Sequence, residues 1–489
     1  MKSGVQRRKT IITSLCMLFM FLGLIYPSTP SRAAHVSSAS PKDPRPKQPA
    51  YFTFHMSVPA AAFHPRQKTY VFYNVGASLR HVDDPGGNIG IYYAALYLPN
   101  GATLVGMSFI YCDNWTGNSA GITLFRTSHV DDIQAGLAST LASADDCPGV
   151  ASSTSFDYPT IDNFHYMYYL RYYVPDSSAP YGMNTTLDGV TIEYTAPVFP
   201  NEDYQSIPAA GFVPYSDDQN YINEGGWLYY SGGTGTADFQ APVFLPDGAT
   251  ALGAAYYFYD NYFLDGEASL RRTDLADTWN PTMADFGPTG NPGFSSLYSS
   301  IMNFASINNG SNGYWSFFRL PASANVRGKS LLIYYSLGSG PNPMETISIP
   351  AAAFTPVTNA QDYENHGRYL KHFGGSTYQY LAPVYAPHGA YLRRMIFYYN
   401  QIGATTDRVT LYAYEYAGYP GGGIINTVFS DGLGYQSGSA SLYNYKVDNI
   451  NERLYLELAL TANNIWPCGV VIEYSRYASL LFLPTVQKN

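Results

Sequence analysis

Charge is scarce in this chain. Asp, Glu, Lys and Arg make up 13% of its 489 residues, against about a quarter in an ordinary globular protein. The balance is acidic, with a formal charge of -9, and the mature part carries no basic stripe. Phosphate recognition needs such a stripe, so nucleic acid and anionic lipid are poor candidate partners. Long apolar runs are equally rare. The one present, Ile11 to Tyr26, follows Lys2, Arg7, Arg8 and Lys9 and precedes the small residues Ser31-Arg32-Ala33-Ala34. It is short for a membrane span, and this order of charge, apolar run and small residues reads as a secretory signal peptide over residues 1–34. Its removal takes away Lys2, Arg7, Arg8, Lys9 and Arg32 and no acid, shifting the formal charge from -9 to -14. No later stretch could span a bilayer as a helix, so the expectation is a secreted or cell-surface protein without membrane insertion after cleavage.

Catalytic signatures are also missing. There is no His-Glu-X-X-His, Gly-X-Ser-X-Gly, Cys-X-X-Cys or glycine-rich phosphate loop. Of the nine histidines, His64 faces Val213 and Thr355 and His388 faces Asn100 and Asp247 in the other copies of the repeat described below, so no histidine site recurs in all three. The expectation is a non-enzyme with no catalytic residues, no cofactor and no metal site. Of four cysteines, Cys16 leaves with the signal. Cys112 and Cys147 form the natural disulfide in an oxidising compartment, contributing about 3–4 kcal/mol in the chain-entropy model. Cys468 is left over. Counting back from the last strand places it with Asp188 and Lys329, polar types that usually face water, and an exposed odd cysteine is open to an intermolecular bridge.

What the chain does have is a threefold internal repeat. Pro59-Ala60-Ala61-Ala62-Phe63 returns as Pro208-Ala209-Ala210-Gly211-Phe212 and as Pro350-Ala351-Ala352-Ala353-Phe354. A second landmark, Leu98-Pro99-Asn100-Gly101-Ala102, returns as Leu245-Pro246-Asp247-Gly248-Ala249 and Ala386-Pro387-His388-Gly389-Ala390. Pro-X-Gly marks a tight turn between apolar strands. Strands of period two follow, most cleanly where Leu454, Leu456, Leu458 and Leu460 alternate with Tyr455, Glu457 and Ala459. Eight or nine short strands per repeat, with no amphipathic helix, predict an all-β protein. The expected form is three tandem antiparallel β-sandwich domains of jelly-roll type, strung as beads. The boundaries are 51–199, 200–343 and 344–489, after a Pro- and Lys-rich tether over 35–50; the third includes the apolar tail Leu480 to Pro484.

These motifs resemble a repeat in uncharacterised bacterial exported proteins. The resemblance covers all three repeats and implies a β-sandwich outside the cytoplasm. It brings no activity, cofactor or site residue.

One constellation suggests a ligand site. The strand after the Pro-X-Gly turn ends in Asp113-Asn114-Trp115 in the first repeat and Asp260-Asn261-Tyr262 in the second, while the third has Gln401-Ile402-Gly403. Asp and Asn can bond vicinal hydroxyls, and an exposed ring can cover a sugar face. The same oxygens could reach Ca²⁺, and an Asx turn closing the strand is the plainer alternative. Trp227, Trp279, Trp315 and Trp466 fall at unmatched positions and read as core or joint residues. Tyr is abundant, 47 residues, giving a surface that bonds without charge. The expected function is multivalent surface binding or adhesion, with polysaccharide or a cell-envelope component as partner. Self-association as a structural or filament subunit is the alternative, and a hydrolase with a site in one repeat the third reading.

Overall fold

The fold was analysed on a computed structural model, which describes residues 52–476 apart from 77, 83–88, 115–118, 132, 144–145, 175–184, 197–201, 291, 338–343, 375, 405, 416–422 and 462–463. The expected signal peptide, the tether and the apolar tail lie outside these residues. Strands dominate, and the helical turns are three short 3₁₀ segments, Ala60–Ala62, Ala209–Gly211 and Ala351–Ala353. Each is the alanine motif read from the sequence. Its proline leads in extended, and the closing Phe63, Phe212 or Phe354 donates its amide to the first alanine carbonyl.

Each repeat supplies two antiparallel sheets. In the first, Thr185–Ala196 lies between Thr103–Asp113 on one side and Phe52–Pro59 and Leu79–Val82 on the other. The second sheet orders His64–Pro65, Gly90–Ala95, Tyr166–Val174, Gly121–Ser128 and Gln134–Leu141. The second repeat copies this order. In the third, the ribbon Tyr363–Asn365 with Leu370–His372 stands as a separate pair. The alternating side chains of the facing sheets fill one apolar core per repeat, as period-two strands require. The Pro-X-Gly turns form as expected. Gly101, Gly248 and Gly389 have φ between 75° and 78°, and the next alanine donates to the proline carbonyl at 3.1–3.2 Å.

The arrangement of the sheets corrects the expectation of three tandem jelly-roll-like sandwiches. The six main sheets are disposed in a closed, propeller-like ring, and the described residues make one compact body. Three equivalent junctions close it. In each, an Asn-X-Gly segment bonds the repeat before it: the amides of Asn223, Asn365 and Asn74 donate to the carbonyls of Arg66, Tyr215 and Val357 at 2.7–2.8 Å. The Nδ2 of each asparagine holds the carbonyl of its own first 3₁₀ alanine at 2.8 Å. Its Oδ1 accepts the glycine amide two residues on. Those glycines, Gly76, Gly225 and Gly367, have positive φ and lie against Tyr455, Tyr169 and Trp315 of the preceding repeat, leaving no room for a Cβ.

A second lock repeats as well. Asn163 Nδ2 bonds the carbonyls of Leu98 and, in the next repeat, Tyr204. Asn309 does the same with Leu245 and Thr346, and Asn449 with Ala386 and His55. Because His55 belongs to the first repeat, Asn449 closes the ring. Closure also explains why Tyr455 and Ala459, on the face opposite the Leu454–Leu460 stripe, are buried: that face packs on the first repeat rather than on water.

Candidate functional site

The residues expected at the strand ends turn out to be divided between interior and surface. Asp113 and Asp260 are buried, accepting hydrogen bonds from the hydroxyls of Thr185 and Thr289. Asp260 also accepts the Tyr262 amide at 3.0 Å, the Asx turn that closes a strand. Asn114 and Asn261 are exposed, as is Tyr262, whose ring lies beside Phe263. Trp115 lies outside the described residues. Cys112 and Cys147 form the expected disulfide.

Cys468 is not at the surface. It is fully buried, its thiol directed at the Trp466 carbonyl, and burial pushes its pKa up to about 12. It is therefore unsuited to an intermolecular bridge. The misplacement has a clear cause. Asp188, Lys329 and Cys468 are each the extra residue of a β-bulge, skipped in the pairing with the neighbouring strand. A bulge shifts the alternation by one, so counting along the strand assigns the wrong face. All three side chains are buried as a result.

Where the repeats differ at equivalent positions, chemistry can be added to a common scaffold. The junction from first to second repeat carries an Arg66–Glu224 ion pair at 2.9 Å. At the corresponding place between second and third, the Tyr215 hydroxyl bonds the His366 ring. Pairing across the strands places Phe125, Arg271 and Tyr412 at matching positions opposite Tyr169, Trp315 and Tyr455. Two of these pairs are ring stacks, Phe125 on Tyr169 with centroids 5.6 Å apart and Tyr412 on Tyr455 at 5.1 Å. In the second repeat a guanidinium replaces the ring, with Arg271 Cζ 5.6 Å from the Trp315 centroid and 5.5 Å from that of Phe317.

This substitution opens onto a polar cleft of about 520 Å³ between the second and third repeats. Trp279 stands on the loop after Glu267–Asp274, its amide held by Asp277 at 2.7 Å, with the ring 52% exposed. Trp315 forms the floor, its indole N–H donating to Thr273 at 2.9 Å. On the other wall Arg319 grips Asp238 through Nε and Nη2 at 2.8 and 3.0 Å, which raises the guanidinium pKa. Arg368 completes the lining from the third repeat. Burial lowers the pKa of Arg271 and of His366. A flat exposed indole beside fixed charged donors and acceptors is an arrangement suited to a sugar ring, with one face to stack and an edge of hydroxyls to bond.

Of the tryptophans expected at core or joint positions, Trp315 is buried and Trp279 half exposed at this junction, and nothing in that expectation showed the junction to be open. The available signal was Arg271 where the aligned strands carry Phe125 and Tyr412. A second, much smaller cavity, of about 60 Å³, lies where the three repeats meet, walled by Phe72, Tyr221 and Tyr363 and by the prolines Pro65, Pro214 and Pro356. His64 faces it, and burial pushes its pKa down to about 4. Further along the same junction, Tyr97, Phe244 and Tyr385 meet edge to face, with centroids 5.5–5.8 Å apart.

No family model matches the chain, and no curated protein matches it. Among solved structures it is similar to the tandem CBM22 domains of Paenibacillus barcinonensis Xyn10C, at TM-score 0.21 and 11% identity over 55% of this chain and 93% of that one. The isomalto-dextranase of Arthrobacter globiformis T6, complexed with panose, gives TM-score 0.22 and 12% identity over 51% and 37%. The VP2 subviral particle of infectious bursal disease virus gives 0.18 and 10% over 89% and 83%. TM-scores this low leave function to be argued from the residues themselves.

Proposed function

We propose that this is an exported, non-enzymatic protein that binds carbohydrate of a polysaccharide or cell envelope, and that the cleft between its second and third repeats is the binding site. The observation that carries the reading is the exposed indole of Trp279 sharing one cleft with the Arg319–Asp238 pair, at a junction whose counterparts are filled by stacked rings. Both Asp238 oxygens are engaged by one guanidinium, a geometry for positioning a ligand's hydroxyls rather than for passing protons. Affinity then rests on one built cleft, and the avidity of equal linked domains is not required.

The test is retention of residues 51–489 on insoluble polysaccharides and peptidoglycan. Saturable retention that drops at least about tenfold in Trp279→Ala, about 1.4 kcal/mol, supports the reading. Retention unchanged by the substitution contradicts it. A second reading, self-assembly, is favoured by the strand Gly434–Lys446, which lies at a sheet edge and is exposed along most of its length, with Tyr435 and Tyr443 outward. Sedimentation showing oligomers that grow with concentration would support it.

A further inference from the structure

The charge of the cleft runs against that of the chain. In a protein of formal charge -9, Arg271, Arg319 and Arg368 converge on one cleft whose only lining carboxylate, among the described residues, is Asp238. Asp238 is taken up by Arg319, and Glu267 lies 3.8 Å from the same guanidinium. Arg271 donates its Nε to Ser269 at 3.0 Å. Among the described residues, neither its terminal nitrogens nor those of Arg368 make a hydrogen bond to a carboxylate. With Nε bonded to Ser269 and Cζ within 5.6 Å of the Trp315 and Phe317 ring centroids, the fork of Arg271 is held in place before any ligand arrives.

The pseudo-threefold repeat serves as an internal control on what these arginines are for. The other two repeats carry an aromatic ring at the Arg271 position, where Phe125 and Tyr412 stack on the facing ring. The sequence spacing of the Asn-X-Gly motif sets Arg368 opposite Gly226 and Ala77. Neither place holds a cation in the other two repeats; in the first, Arg171, the counterpart of Phe317, lies 4.6 Å from the Phe125 ring centroid, so ring and guanidinium exchange strands there. Arg271 feels the repulsion of Arg319 and Arg368 together with the attraction of Asp285 and Asp238, and a bound anion would add to the attraction on both guanidiniums.

We infer that the cleft is specific for an anionic sugar, whose carboxylate or phosphate is gripped by the forks of Arg271 and Arg368 while its ring stacks on Trp279. This rests on the carbohydrate reading above and narrows it. Carboxylate and phosphate both match the guanidinium fork, and the choice between them is left to the polymers used.

The experiment is isothermal titration of residues 51–489 with a soluble polyuronate, a polyol-phosphate polymer and neutral dextran, comparing wild type with Arg271→Phe and Arg368→Gln. Arg271→Phe installs the ring found at the first repeat's junction and should fold as that junction does; its thermal melt is recorded alongside. The expected result is binding of at least one acidic polymer, weakened at least about tenfold in both variants and by added salt. The acidic polymer that binds identifies the anionic group. Equal affinity for neutral and acidic polymers, unchanged in both variants, overturns the inference while leaving carbohydrate binding in place. Binding of no polymer at all removes both.

Discussion

His129 shows at the scale of one side chain how the junctions depend on protonation. It is buried between repeats, with Nδ1 2.6 Å from the Ser330 hydroxyl and Nε2 3.1 Å from the Asn163 carbonyl, and it stacks on Tyr257. Nε2 therefore donates and Nδ1 accepts, the neutral tautomer. Burial pushes its pKa down to about 4 from an ordinary 6.5, with Lys329 adding to the effect and the Asn163 carbonyl opposing it. The unfolded chain takes up a proton in that interval and the folded one does not. Stability should hold above about pH 6.5 and fall as pH drops from 6.5 towards 4, by up to about 1.4 kcal/mol per unit. Urea midpoints at pH 7 and pH 5 should show this fall, to which His64 contributes in the same sense, and His129→Gln should reduce it without abolishing it; an equal fall in the variant would assign the effect elsewhere. Nothing in the sequence around His129 marked it, because both partners come from distant segments.

The elements of the fold were legible to different degrees. Strands and Pro-X-Gly turns were readable because period two and positive φ are local properties. The alanine motif was recognised as a repeat, but its role was not: Ala210 packs on Tyr93 and Tyr169, and Ala61 on Leu381 and Tyr455, so it is the tenon of each junction. Asn74-Val75-Gly76 and its two copies were equally visible and passed unnoticed, since their partners lie in another repeat. Bulges at Asp188, Lys329 and Cys468 reversed the inferred faces, and no local signal distinguishes a bulge from regular strand. Gly367→Ala tests the junction element directly. It combines a φ of 73° with a Cβ forced onto the Trp315 indole, and should destabilise by about 2–4 kcal/mol in denaturant titration. A loss under about 0.5 kcal/mol would mean that this junction is not tightly packed.

At the scale of the whole molecule, the beads expected from the repeat become a closed ring because the outer faces are Tyr- and Ala-rich rather than charged, and bury against the next repeat. Alternation alone reports that two faces differ; it does not say whether water or protein covers the second. A closed ring should unfold as a unit. Residues 51–489 should melt in one calorimetric transition, and residues 51–343, lacking two of three junctions, should be markedly less stable; three separate transitions in the full chain would restore the beads. The ring also explains how a site can arise at one junction without disturbing the others, since each is built from its own pair of repeats. The claim that this junction binds sugar is most directly tested by tryptophan fluorescence of residues 51–489 titrated with soluble polysaccharides, alongside Trp279→Phe. A saturable change in emission, largely lost in the variant, is the expected result. Saturable binding with the same emission change in both proteins would place the ligand elsewhere and contradict that claim.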